Sequence, residues 1–259
     1  NNQISNLYCL TINFSKLMLK QYFIIIFSLI LINDSVAQNV SPVIVKDNML
    51  WLGYYNSIII NSKWSVNSDL QFRTKNEVKD YSQALVRADV SYKLKDRLTI
   101  SVGFAHFRYF LTKEKTRGEW RPWQELKLTD KVGNCKLTHR LRVEQRFNKT
   151  VKNSEATNNY QFNFRFRYRL DLRYPVIKEK ETGNNLFLLV GNEVMVNAGN
   201  NINYNYFDQD RLYAGINYEL NKKVSFQIQY MHIWQQASNG LTLYSNNVLR
   251  FNIYHTISL

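Results

Sequence analysis

Cysteine is almost missing from this 259-residue chain: Cys9 and Cys135 are the two present. Cys9 falls in a stretch expected to be removed, so no disulfide is available, and no CxxC or Cys/His spacing offers a structural zinc site. Three prolines and nine glycines are too few for linkers between several domains, so residues 38–259 read as one domain. Past residue 37 no apolar run approaches the roughly 20 residues of a spanning helix, and no 3.6-residue period appears. Acids are also short, with 20 Asp and Glu against 34 Lys and Arg. The resulting charge of +14 alone would admit nucleic acid. The arginines, however, lie at strand period among aromatics, not on a helix or in a tail, and nucleic acid is not expected as a partner. No Gly-rich loop opens a helix and no carboxylates have metal-ligand spacing, so neither a cofactor nor a metal is expected.

The N-terminus has the layout of an export signal. Lys20 follows Met18 in the short stretch Met18-Leu-Lys-Gln-Tyr that begins a basic n-region, residues 23–32 are apolar, and Ser35-Val36-Ala37 before Gln38 fits a small-residue cleavage site. Residues 1–17 read as an over-extended start, residues 1–37 as a leader and residues 38–259 as the folded part. Losing Lys16, Lys20 and Asp34 changes the charge only from +14 to about +13.

What the chain does contain is alternation. In YQFNFRFRYRLDLRY (160–174), Tyr160, Phe162, Phe164, Phe166, Tyr168, Leu170, Leu172 and Tyr174 alternate with Gln161, Asn163, Arg165, Arg167, Arg169, Asp171 and Arg173. A strand presents successive side chains on opposite faces, so one face is apolar and the other is a guanidinium ladder. Similar stretches occupy 48–60, 62–75, 83–94, 98–105, 120–129, 134–148, 186–197, 207–220, 222–235 and 247–259. Many exceed the five or six residues usual in globular sheets and reach the nine to eleven that cross a bilayer. The expected fold is all-β: one antiparallel transmembrane barrel in an outer membrane, apolar face to lipid and arginines in the lumen. Eleven stretches are countable. Bacterial barrels have even numbers, so twelve strands are expected, with residues 40–45 supplying another, and ten as the alternative. Short connections near 61–62, 95–96, 131–133 and 221 alternate with longer ones at 112–119, 149–159, 198–206 and 237–246; residues 175–184 are long on a short side.

The lumen candidates follow from that parity. They are Asp69, Arg73, Arg87, Glu125, Arg140, Arg142, Glu144, Arg146, Arg165, Arg167, Arg169, Asp171, Arg173, Glu193, Arg211 and Arg250. Hairpin register sets Asp69 against Arg87 and Glu125 against Arg140, and brings Glu193 near Arg165 or Arg167. An ion-pair network filling a narrow barrel is expected, while Arg142, Arg146, Arg169, Arg173, Arg211 and Arg250 have no evident acid and would favour anions. Trp64, Tyr92, Tyr174 and Tyr218 near the short turns, and Phe147, Tyr160 and Trp234 near the long loops, predict two interfacial aromatic girdles. His106 and Arg108, on the lipid parity, are candidates for lipopolysaccharide phosphate. Outer-membrane phospholipases place His and Ser two apart on a lipid-facing strand; here Arg108, Leu141, Trp234 and Ile257 follow the four histidines at that spacing, and no Ser precedes them. The remaining enzymatic candidate is a rim pair, His232 with Asp210, activating water in a membrane-embedded hydrolase.

The segments GEWRPWQELKL, HRLRVEQR, FRFRYRL, GNEVMVN, FDQDRLYAGINY and YMHIW, in this order over most of the folded part, resemble the outer-membrane barrel family known as domain of unknown function 2490. The resemblance implies fold and compartment and assigns no activity or catalytic residue. The expected role is therefore a non-enzymatic monomeric barrel, either a narrow anion-preferring pore or a structural barrel contacting lipid. The alternatives are the hydrolase and an accessory subunit of an export or uptake complex. Expected partners are outer-membrane lipids, lipopolysaccharide and small anionic solutes.

Overall fold

The computed structural model describes residues 42–153, 155–179 and 184–259; the expected leader lies outside them. The described residues form eleven strands and no helix: β1 (Val43–Ile59), β2 (Trp64–Lys75), β3 (Asp80–Lys95), β4 (Leu98–Phe110), β5 (Thr116–Val132), β6 (Cys135–Lys152), β7 (Glu155–Lys178), β8 (Asn185–Ala198), β9 (Phe207–Glu219), β10 (Val224–Gln236) and β11 (Thr242–Ser258). Each pairs with its sequence neighbours and β1 closes the barrel on β11.

That closure corrects the expected count. Residues 43–45 begin β1 instead of making a strand of their own, so β1 and β11 both run from the rim of the longer loops to the rim of the short turns. They pair in parallel, from Val43 opposite Thr242 to Ile59 opposite Ser258. An even number is required only where first and last strands meet antiparallel, and among the described residues the barrel is odd, with eleven strands.

The hairpins are also tighter than the sequence suggested. The connection expected at 149–159 is mostly strand, since Val151 pairs with Ala156 and Lys152 with Glu155. The expected loop 112–119 shortens to 111–115, and β5 already begins at Thr116. At the opposite rim β7 continues past Pro175, which cannot donate to the ladder, and the register shifts between Pro175 and Ile177.

Even the shortest strand, β2 with 12 residues, is long enough to cross a bilayer. The outer surface is apolar: Val102, Leu141 and Val190 are 64%, 52% and 50% exposed. Arg140, Arg142, Arg165 and Arg167 are buried inside. This inverts a soluble sheet, which would seal its aliphatic face and hydrate its arginines.

Candidate functional site

The lumen is assembled from inward residues of all the strands, and the β2/β3 and β5–β8 wall carries most of its charge. Strand pleat sets Arg140, Arg142, Glu144 and Arg146 on one face of β6, against Arg165, Arg167, Arg169, Asp171 and Arg173 on β7. Buried guanidinium groups need both a carboxylate at the edge and something apolar over the face. Both are present. Arg87 Nε lies 2.9 Å from Asp69, as the register predicts. Glu125 faces Arg142, two residues from the expected partner, and binds Arg142 at 2.6 Å and Arg140 at 3.5 Å. Glu193 holds Arg167 at 2.7 Å and Arg211 at 3.5 Å, and also Arg140. Glu144 binds Arg167 at 2.5 Å and Arg121 at 3.4 Å. Aromatic faces cover the cations: Arg142 over Trp123 at 3.8 Å, Arg121 over Phe107 at 3.7 Å, Arg173 over Phe187 at 3.5 Å and Arg73 over Trp51 at 3.9 Å.

Most of the arginines expected to lack an acid have one. Besides Arg142 and Arg211, Arg146 Nε reaches Glu119 at 2.6 Å, Arg169 Nε reaches Asp171 at 2.8 Å and Arg173 reaches Glu219 at 2.5 Å. Glu119 is hidden in the sequence because 112–119 reads as a loop, although it shares parity with Arg121, Trp123 and Glu125. Asp208, which binds Arg165 at 2.7 Å, is turned inward beside the irregularity where Met195 and Val196 pair with Gln209 and Phe207, and no alternation signals it. Arg250 remains without a carboxylate among the described residues; it donates to Gln229 and Tyr55. Arg73 is in the same position, donating to Gln83 and Gln71.

The two halves of the lumen differ. Toward the loop rim Glu119, Met195 and Val248 are completely buried, with Trp51, Met231 and Ile233 packed on one side and Leu85, Ala105 and Phe107 on the other. Toward the turn rim a cavity of about 470 Å³ runs from Ser57, Lys136 and Thr256 inward to Trp51, Arg73 and Met231. Thirteen Lys or Arg and five Asp or Glu line it, and Glu119, Glu144, Asp208 and Glu219 pair with lining arginines from beside it, which leaves an excess of four positive charges. At its inner end Arg73, Arg211 and Arg250 lie 3.9, 5.4 and 5.8 Å from the ring of Trp51.

Residues 48–244, which span this lumen wall from β1 into β11, match a family model described as Protein of unknown function (DUF2490). The chain belongs to this family. An uncharacterized protein of Methylorubrum extorquens is 24% identical to this DUF2490 barrel over 246 residues, covering 92% of this chain and 99% of that one. A solved structure described as the NanC porin covers 80% of this chain and 98% of its own at 14% identity, with a TM-score of 0.48.

The outer face of the DUF2490 barrel carries the remaining candidates. Trp64, Tyr92, Tyr174 and Tyr218 stand outward near the turn rim, where Trp64 and Tyr92 are direct partners with rings 4.6 Å apart. Phe147, Tyr160 and Trp234 stand outward toward the loop rim. His106 keeps its outward parity, 4.1 Å from the Trp120 ring, with Arg108 one position further toward the rim on the same face. The expected His232 and Asp210 pair does not form. Leu212 is the β9 residue opposite His232, while Asp210 lies opposite Trp234 and accepts from Asn192 at 2.5 Å. His232 turns to β11 instead, where Nδ1 meets Asn247 Oδ1 at 2.9 Å and Nε2 meets Ser245 Oγ at 3.1 Å. No spacing within one strand signals Ser245 and Asn247, because their pairing with His232 runs across strands.

Proposed function

We propose that the protein is an outer-membrane barrel whose lumen is a cationic cup, open at the turn side for small anions and closed to free passage on the loop side. The observation that carries this reading is a cavity whose lining and paired side chains leave an excess of four positive charges, backed toward the loop rim by the buried Glu119, Met195 and Val248, with Arg73 and Arg250 finding no carboxylate among the described residues. A bilayer is the solvent that suits an exterior of exposed aliphatic and aromatic side chains, and an outer membrane is where β-barrels meet one. The short turns then face the periplasm, and His106 and Arg108 reach the level of lipopolysaccharide phosphates. Chemically, the cup would exchange hydrated anions against the Arg73, Arg211 and Arg250 guanidinium groups, whose forked donors match oxyanions.

Calorimetric titration of the detergent-folded protein with inorganic phosphate at low salt tests the cup. Saturable binding is expected, weakened at least about tenfold by Arg73→Gln with Arg250→Gln, the loss of two charge-assisted contacts. Equal binding by wild type and double variant would remove the cup. Planar-bilayer recording addresses the closed loop side, where a sustained anion-selective current would replace this reading with a narrow pore.

A further inference from the structure

The outward hydrogen-bond chain at the β10/β11 edge of the loop rim is independent of the lumen. Glu77 sits in the β2/β3 turn, whose backbone is held by Asp47: the N–H groups of Asn76 and Glu77 donate to its carboxylate at 2.7 and 2.9 Å. The Glu77 carboxylate accepts from Asn48 Nδ2 at 2.9 and 3.1 Å. Asn48 Oδ1 in turn accepts from Asn247 Nδ2 at 3.0 Å. Asn247 Oδ1 meets His232 Nδ1 at 2.9 Å, and His232 Nε2 meets Ser245 Oγ at 3.1 Å.

The direction of this chain is dictated by its end. An ionised carboxylate only accepts, so Asn48 must turn its NH₂ toward Glu77 and its oxygen toward Asn247. Asn247 must therefore donate to Asn48 and present its own oxygen to His232, as the Tyr230 hydroxyl donating to that oxygen at 2.7 Å also requires. For a neutral imidazole facing an acceptor-only oxygen, Nδ1 carries the proton and Nε2 is the free base. The proton between Nε2 and Ser245 is then the hydroxyl's. This is the protonation pattern of an activated serine: nucleophile, base and an orienting acceptor within hydrogen-bond reach.

The sheet explains why the three side chains meet. His232 is directly opposite Asn247, and Ser245 is the next outward residue on β11, opposite Trp234. The imidazole is braced by the Trp234 ring, 4.2 Å away at 59°. Lys46, exposed on β1, is the residue opposite Ser245 in the parallel register, so a basic side chain starts from the neighbouring strand at this point.

We infer that Ser245, His232 and Asn247 form a serine esterase site on the outer face of the barrel, acting on carboxylic esters of membrane lipids. The lipid class rests on the apolar exterior facing a bilayer, where an aromatic girdle marks the interface at which glycerolipid ester carbonyls lie. Ser245 Oγ bonds to the ester carbonyl carbon as its proton passes to His232 Nε2 and the carbonyl pair moves onto oxygen. Collapse of the adduct breaks the bond to the alcohol oxygen, which leaves with the Nε2 proton. Water then attacks the acyl-serine, gives its proton to Nε2, and Ser245 leaves with that proton as the carboxylic acid is released. Asn247 is a positioning residue.

The test uses the full folded protein in detergent micelles, treated with a fluorophosphonate probe and separately supplied with phosphatidylethanolamine. The expected result is a covalent adduct on the peptide containing Ser245 and fatty-acid release. Ser245→Ala abolishes both, and His232→Gln lowers release at least about a hundredfold, the scale of general-base catalysis. Asn247→Ala should lower kcat with KM kept. Each variant is checked for folding by its heat-dependent gel migration. Absence of an adduct on folded wild type, an adduct on another residue, or unchanged release by folded Ser245→Ala would overturn the assignment. Labelling does not depend on anion binding, and a failed lumen titration leaves it standing.

Discussion

Glu119 offers the sharpest test of whether charge holds the barrel interior together. Its carboxylate is fully buried and binds Arg146 Nε at 2.6 Å and Nη2 at 3.1 Å, together with Arg121 and the Tyr109 hydroxyl at 2.8 Å. At about 4 Å between charges and an effective dielectric near 20, each guanidinium attraction is worth about 4 kcal/mol. Against the two attractions stands a desolvation cost of several kcal/mol that the neutral amide avoids. Glu119→Gln is therefore expected to lower unfolding free energy by about 3–5 kcal/mol, the usual cost of stranding a buried charge. Arg146→Met should cost less, because Glu119 keeps Arg121. Combining them should cost less than the sum, since the amide at position 119 then strands one guanidinium fewer, with a coupling of about 2 kcal/mol. Urea titration in micelles, followed by the fluorescence of the five tryptophans, measures all three. A Glu119→Gln loss below about 1 kcal/mol, or strict additivity, would refute an interior held by ion pairs.

Two further outcomes test the packing and the orientation. A Cβ at Gly215 would lie 2.2 Å from the Ile228 carbonyl oxygen, which is fixed in the ladder, whereas one at Gly191 would lie 2.5 Å from the ring end of Tyr213, a side chain and not backbone. Gly215→Ala should therefore destabilise by about 1–3 kcal/mol, more than Gly191→Ala, in the same urea assay; the reverse order would contradict the backbone geometry. Leu141→Arg places a charge on the outer face and should cost about 2–4 kcal/mol in lipid vesicles, while a neutral result would mean that this face does not meet hydrocarbon.

The alternation in 160–174 decides the inside and outside of β7 without any coordinates, because a two-residue period cannot be accommodated with both faces alike. The same parity identifies Asp69 with Arg87, a hairpin pair whose register a short turn nearly fixes. Glu119 escapes because β5 starts four residues before the alternation becomes readable, and Asp208 because a local irregularity breaks parity. Closure lies beyond local pattern as well. Alternation says that a strand exists, not which strand far along the chain it meets, so the parallel β1/β11 pairing belongs to the tertiary structure.

The chain by itself determined an all-β protein with an apolar and a basic face, since side-chain period and hydropathy are properties of single strands. Only the tertiary structure decided which arginines find acids, how far the cavity extends, and that His232 meets Ser245 and Asn247 rather than Asp210. Those outcomes depend on contacts between strands, and a shift of one residue in pairing would send each of those side chains to the opposite face.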